Sequence, residues 1–220
     1  QKGVLIIPTF AVERAQVLLY CLHQLRQQNI IPDIPIFLDS PMAVKVTNLS
    51  CIFKDEHKLS SELCRDMSEI ARYINTIEES KSIDHIAGPA IIIAGSGMAD
   101  GGRVLHHLKH YISDAKNIVL FIGFQAEGTN GRALLDGADR INIDGTWYKV
   151  YASIKIIDSF SAHADSNEIL QWLSFLQTAP EKLFLTHGEL QASQALQQKI
   201  EDRFGWNVII PHYLQSFDID

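Results

Sequence analysis

Cysteine is scarce in this chain: Cys21, Cys51 and Cys64 are the three in 220 residues, and no two form a CxxC pair. An odd, widely spaced set is expected to be free thiols in a reducing compartment, with the cytoplasm as the default. Long apolar runs are lacking as well. The longest, such as residues 91–94 and 118–122, are far too short to cross a bilayer, so no membrane partner is read. No charged segment leads into an apolar one at the start, so no secretory signal is read there. Positive charge is in deficit: 19 Lys and Arg against 26 Asp and Glu leave a net charge of −7. That excludes a broad, non-specific nucleic-acid surface but leaves room for a local cationic cleft. An initiator Met is missing, and Gln1-Lys2-Gly3 runs straight into a strand, which reads as a cut inside a longer protein.

What is present suits a packed α/β fold. Hydrophobic residues make up 46% of the chain and charged ones 20%, enough apolar surface for a core. Residues 3–8, 34–38, 89–94 and 117–122 are continuous apolar runs, the pattern of strands buried on both faces. Between them, residues 11–28 place Ala15, Leu18, Leu19, Leu22 and Leu25 on one helical face, with Thr9 as the expected N-cap. Ser40-Pro41 opens a second helix, and glycine-rich residues 95–102 lead into a third. This alternation predicts a Rossmann-like parallel sheet. Residues 54–86 are polar and read as an excursion outside the sheet. At Asp144-Gly145 the pattern changes to a hairpin, with residues 140–143 and 147–157 as its strands. The tail reads as further strands and helices, one capped by Asp165 with Glu168. A domain boundary is placed at 156/157.

Ligands of open parallel sheets bind at the carboxyl ends of the strands. Those ends carry Pro8-Thr9-Phe10, Asp39-Ser40, Gly95-Ser96-Gly97-Met98 and Gly123-Phe124-Gln125, with Arg14, Arg103 and Arg132 a turn or a loop away. Two readings stand: glycines closing tight turns beside solvated arginines, or a cleft in which Arg14, Ser96, Arg103, Gln125 and Arg132 hold a phosphate backbone. Nicotinamide binding fits less well, because Gly95-x-Gly97-x-x-x-Gly101 misses the GxGxxG spacing. His163 falls in a turn before a capped helix, and His187 follows the strand 183–186 and precedes Gly188. Either imidazole can turn into a cleft as a ligand or a proton donor. His106 and His110 share a helical face next to His107, but no carboxylate is interleaved as in HExxH, and the group reads as solvated or capping.

Six strings in order resemble the β-CASP ribonucleases of the metallo-β-lactamase superfamily: IPTFAVERAQ (7–16), DSPMA (39–43), AGSGMADGGR (94–103), GFQAEGTNGR (123–132), SFSAHAD (159–165) and LTHGE (185–189). The resemblance implies a β-CASP domain over 1–156, followed over 157–220 by the C-terminal strands and helices of a metallo-β-lactamase αββα fold. It implies a zinc-dependent nuclease that hydrolyses phosphodiester bonds of single-stranded RNA. His163 would be the general acid and His187 a zinc ligand. Because the family's His-x-His-x-Asp-His run is not in the chain, the expectation is a C-terminal fragment lacking an N-terminal metallo-β-lactamase half. Two zinc ions are expected in the full-length enzyme and none in this fragment, which is expected to be inactive alone. A homodimer is a further expectation. The competing reading is a non-catalytic β-CASP paralogue acting as an RNA-binding or scaffold module.

Overall fold

The computed structural model describes residues 3–86, 88–160 and 163–218, and the chain divides into two compact units, Gln1–Ser161 and Ala162–Asp220. In the first unit the chain runs β1 (Val4–Pro8), α1 (Arg14–Gln27), β2 (Ile36–Asp39), α2 (Pro41–Ile52), α3 (Ser61–Glu69), β3 (Arg72–Tyr73), α4 (Ile77–Ser82), β4 (Ala90–Ala94), α5 (Gly102–Tyr111), β5 (Ile118–Phe121), α6 (Asn130–Leu135), β6 (Arg140–Ile143), β7 (Thr146–Lys149) and β8 (Ser153–Ile156). Six of these strands form one sheet in the order β3-β2-β4-β1-β5-β8, parallel throughout. The α/β class read from the sequence is the observed one.

The central strands are apolar at every position because both faces are covered. Every residue of β4 is buried. Alternation then sorts the side chains by face. Ile6 and Ile92 point to the side packed by Val104, Leu108 and Tyr111 of α5. Ile7, Ile91 and Ile93 point to the side packed by Ala15, Leu18, Leu19 and Leu22 of α1. Local chemistry sets the helix starts: Ser40 Oγ accepts from Ala43 N at 3.3 Å, with Pro41 in the first turn of α2.

Several expectations are corrected. Thr9 does not cap α1; it is buried, its hydroxyl donates to the Phe10 carbonyl at 3.2 Å, and the helix starts only at Arg14. The segment 54–86 is not wholly outside the sheet, since β3 pairs with β2 through Phe37↔Arg72 and Leu38↔Tyr73. The hairpin at Asp144-Gly145 is present, both residues having positive φ as a tight primed turn requires. Its second strand ends at Lys149, and β8 instead joins the main sheet parallel to β5. Cys51 and Cys64 are not free thiols. They form a disulfide with Cα atoms 5.7 Å apart, joining α2 to α3, and the cysteine argument for a reducing compartment goes with them. Cys21 is free. No helix among the described residues is long and apolar enough to cross a membrane.

The second unit holds α7 (Ser166–Leu173), β9 (Leu183–Phe184), α8 (Leu190–Phe204) and β10 (Val208–Ile209). β9 and β10 pair in parallel, and Leu170, Leu173, Ile200 and Val208 form a small core. Asp165 caps α7 through a reciprocal box: its carboxylate accepts from Asn167 N at 2.7 Å and Glu168 N at 2.9 Å, while Glu168 accepts from Asp165 N at 2.8 Å.

Candidate functional site

The carboxyl end of β2 carries a connected polar assembly with side chains of α4 and α5. Asp39 ends β2 and is fully buried. One carboxylate oxygen accepts from the Arg103 guanidinium; the other accepts from Ser80 Oγ at 2.5 Å and faces His107 Nε2 at 2.7 Å. Burial alone would push this carboxyl up. The hydrogen bonds from His107, Ser80 and Arg103 outweigh it and hold Asp39 below the ordinary carboxylate range. Arg103 extends further, to the carbonyls of Ile74 and Asn75, each at 3.3 Å, and its side chain remains 21% exposed. It is a fixed cation at the strand ends.

The loops after β4 and β5 are tied to each other. Gln125 is buried, and its amide nitrogen donates to the carbonyls of Gly97 at 3.1 Å, Gly123 at 3.0 Å and Phe124 at 3.0 Å. Gly131 N donates to Met98 O at 2.9 Å, and Asn130 reaches Asp100 and Ala99. Ser96 lies in the first of these loops, its N donating to Gly101 O at 3.2 Å. Gly102 allows that turn to close: its φ is +68°, and a Cβ there would sit 2.6 Å from the Gly95 carbonyl oxygen. Gly102→Ala is therefore expected to destabilise the fold by about 1–3 kcal/mol, read as a lowered urea midpoint at unchanged slope. An unchanged midpoint would mean the turn has another way to close.

A cavity of about 380 Å³ opens beside Phe124, Gln125, Arg132, Ile156 and Asp158. Arg132 lines it and pairs with Asp136 at 2.9 Å. Arg14 begins α1 at the neighbouring strand end, after Glu13, whose φ is 68°. Arg14, Ser96, Arg103, Gln125 and Arg132 thus all belong to the first unit, at the carboxyl ends of its strands or the loops beyond them.

His163 and His187 belong to the second unit. His163 is exposed and stands two residues before Asp165, the α7 cap; the adjoining Ser161 and Ala162 of the SFSAHAD string lie outside the described residues. His187 is exposed between β9 and α8, and its φ of 70° is uncommon for a side-chain-bearing residue. Gly188 follows, and a Cβ there would meet Ser193 Oγ at 2.6 Å unless that hydroxyl turned away.

One cluster escapes the sequence reading. Asp84, in the connection after α4, reaches the shared face of His106 and His110 on α5, so a carboxylate does accompany these histidines. The donor atoms of the three lie within 4.8 Å of one another. Partial burial pushes His110 below its ordinary pKa; Asp84 opposes that push, and His106, His85 and His107 reinforce it.

A Beta-Casp domain model matches residues 15–134, more than half of the chain, and the chain belongs to that family. Residues 147–211 match a second model, the Zn-dependent metallo-hydrolase RNA specificity domain. Among curated proteins, the chain is similar to Ribonuclease TTHA0252 of Thermus thermophilus, 38% identical over 89% of this chain and 46% of that protein. It is also similar to the Transcription termination factor FttA of Methanosarcina mazei (29% identical, 90% of this chain, 33% of that protein) and of Methanocaldococcus jannaschii (31%, 99% and 36%). The chain thus spans less than half the length of these relatives. The expectation of a C-terminal fragment defined by absent zinc motifs is overturned. Two recognised domains account for residues 15–134 and 147–211, and the match to the Methanocaldococcus protein runs over 99% of the chain.

Proposed function

We propose that this chain serves zinc-dependent hydrolysis of RNA phosphodiester bonds, with residues 1–156 as the β-CASP unit and 157–220 as part of a metallo-β-lactamase domain. The observation that carries this reading is the pairing of a Beta-Casp match with an RNA specificity domain match in one chain, beside similarity to a protein named a ribonuclease. Single-stranded RNA would lie along the strand ends. There Arg14, Arg103 and Arg132 supply fixed positive charge, and Ser96 and Gln125 shape the loops that approach the backbone. His163 protonates the leaving oxygen. An exposed imidazole such as His187 suits a zinc ion, and it contributes one of the several ligands that two ions require. When bound, zinc lowers the pKa of a water and offsets phosphate charge. A cytoplasmic location belongs to the same reading.

The test is cleavage and binding of a labelled single-stranded RNA by the intact protein. Dialysis against chelator is expected to abolish cleavage, added zinc to restore it, and RNA binding to persist. Arg14→Ala and Arg132→Ala should each weaken binding alike for different sequences. Each should also flatten the salt dependence, by roughly 0.7 in log–log slope for every phosphate left unneutralised. Cleavage indifferent to chelation would overturn the hydrolytic reading. Binding without any cleavage would identify an RNA-binding or scaffold module instead.

A further inference from the structure

We infer that Asp84, His106 and His110 form a second metal site, for a zinc-class divalent ion, which clips the connection between α4 and β4 onto helix α5. The site lies in the first unit, whereas His187 belongs to the second, and it does not depend on the nuclease reading.

Three observations converge. First, the imidazole nitrogens of His106 and His110 gather at a single carboxylate oxygen. His106 Nε2 lies 2.5 Å from Asp84 Oδ2, within ion-pair range, and the nitrogen is buried and makes no hydrogen bond. His110 Nε2 lies 3.6 Å from the same oxygen, beyond hydrogen-bond reach. Ligands around a tetrahedral zinc at 2.0–2.2 Å stand about 3.3–3.6 Å apart. The His110–Asp84 separation already fits, and the His106–Asp84 contact need open only by about 1 Å.

Second, the carboxylate is held in place from behind. Its other oxygen faces His107 Nδ1 at 3.0 Å, and His107 Nε2 faces the buried Asp39 at 2.7 Å. The connection carrying Asp84 is pinned on both sides by Tyr111, whose hydroxyl donates to Ile83 O and accepts from Ile86 N at 3.1 Å. Metal sites need such outer support to orient a ligand. Third, the imidazoles reach solvent beside a further histidine: the His106 and His110 side chains are 34% and 33% exposed, although His106 Nε2 itself is buried, and the His85 ring stands 5.3 Å from that of His110. An imidazole pair with one carboxylate suits zinc, and not calcium or magnesium, which favour oxygen donors.

The experiment uses the 220-residue chain, stripped with chelator and dialysed against zinc chloride. One zinc per chain is expected from elemental analysis, with a rise in melting temperature on zinc addition. Cobalt in its place should show the visible absorption of a tetrahedral His/carboxylate site. His106→Ala and His110→Ala should each weaken zinc binding at least ~100-fold, while circular dichroism stays unchanged because alanine favours the helix. His107→Gln, which withdraws the outer support, should weaken it ~10–100-fold. His187→Ala should keep this zinc. Absence of bound zinc in the wild-type chain, or its retention in the His106→Ala/His110→Ala double variant, would overturn the inference. Loss of zinc in His187→Ala alone would overturn it too, while leaving the nuclease reading intact.

Discussion

His163→Ala is expected to slow single-turnover RNA cleavage by the intact protein about 10²–10⁴-fold, the usual worth of a positioned general acid, without changing its zinc content. The residue occupies an exposed turn whose exit is fixed by the Asp165–Glu168 capping box, so the backbone that carries the imidazole is set by the first turn of α7. Truncation to alanine leaves that box intact. His187→Ala should behave differently, because removing a ligand removes the nuclease-site zinc along with activity, while the zinc inferred at Asp84, His106 and His110 stays. Its left-handed φ is a conformation that alanine also tolerates poorly, so the fold of this variant should be followed by circular dichroism in parallel. Should His163→Ala shed the nuclease-site zinc while His187→Ala keeps it, the two roles are exchanged. If neither variant slows cleavage, catalysis does not run through these histidines.

Asp39→Ala should produce the largest loss of stability among single substitutions at the strand ends, about 3 kcal/mol, or on the order of 10 °C in melting temperature. The carboxylate is fully buried, and its removal leaves Arg103, Ser80 and His107 facing a void. Arg103 is partly exposed and recovers some hydration, which keeps the expected loss at the lower end for a broken buried pair. The sign of the pH dependence follows from the lowered pKa of Asp39. The stability it contributes is fully present above its unfolded value of about 3.9, and is lost as pH falls through the lower folded value. Wild-type protein should therefore lose stability below about pH 4, and Asp39→Ala should lose less over the same range. Glu79, held low by the backbone N–H groups of Asn75 and Thr76, and Asp114, held low by Lys116, keep some acid sensitivity in the variant. Equal acid slopes in the two proteins would show that the Asp39 assembly does not couple to folding.

Legibility in the sequence followed from how local the physics is. Strands covered on both faces are apolar at every position, so β1, β4 and β5 could be read directly as runs. Caps such as Ser40 and Asp165 depend on neighbours two or three residues away, and they too could be read. β3 could not: two residues, Arg72 and Tyr73, become a strand only by docking on β2. The Cys51–Cys64 pair needs α2 to pack on α3 before the sulfurs can meet. Asp84 is hidden for the same reason. An HExxH pattern carries its carboxylate between the histidines, whereas here the carboxylate arrives from another segment once α4 and α5 are in place. The partners of Asp39 were equally remote, although the DSPMA string containing it was one of the six that carry the resemblance.

The Gln125 amide, with its three carbonyl acceptors on two different loops, bears on how this scaffold can be re-engineered. Gly131 is matched to it, since a Cβ at that position would fall 1.8 Å from the Gln125 amide oxygen. The segments 95–102 and 123–131 therefore form one transplantable cassette and not two. A chimera that imports either segment alone from a relative inherits half of a lock, with carbonyls left bare or a methyl group driven into an amide. Importing both together preserves the fit, so sequence variation in the two loops should be exchanged between family members as a pair.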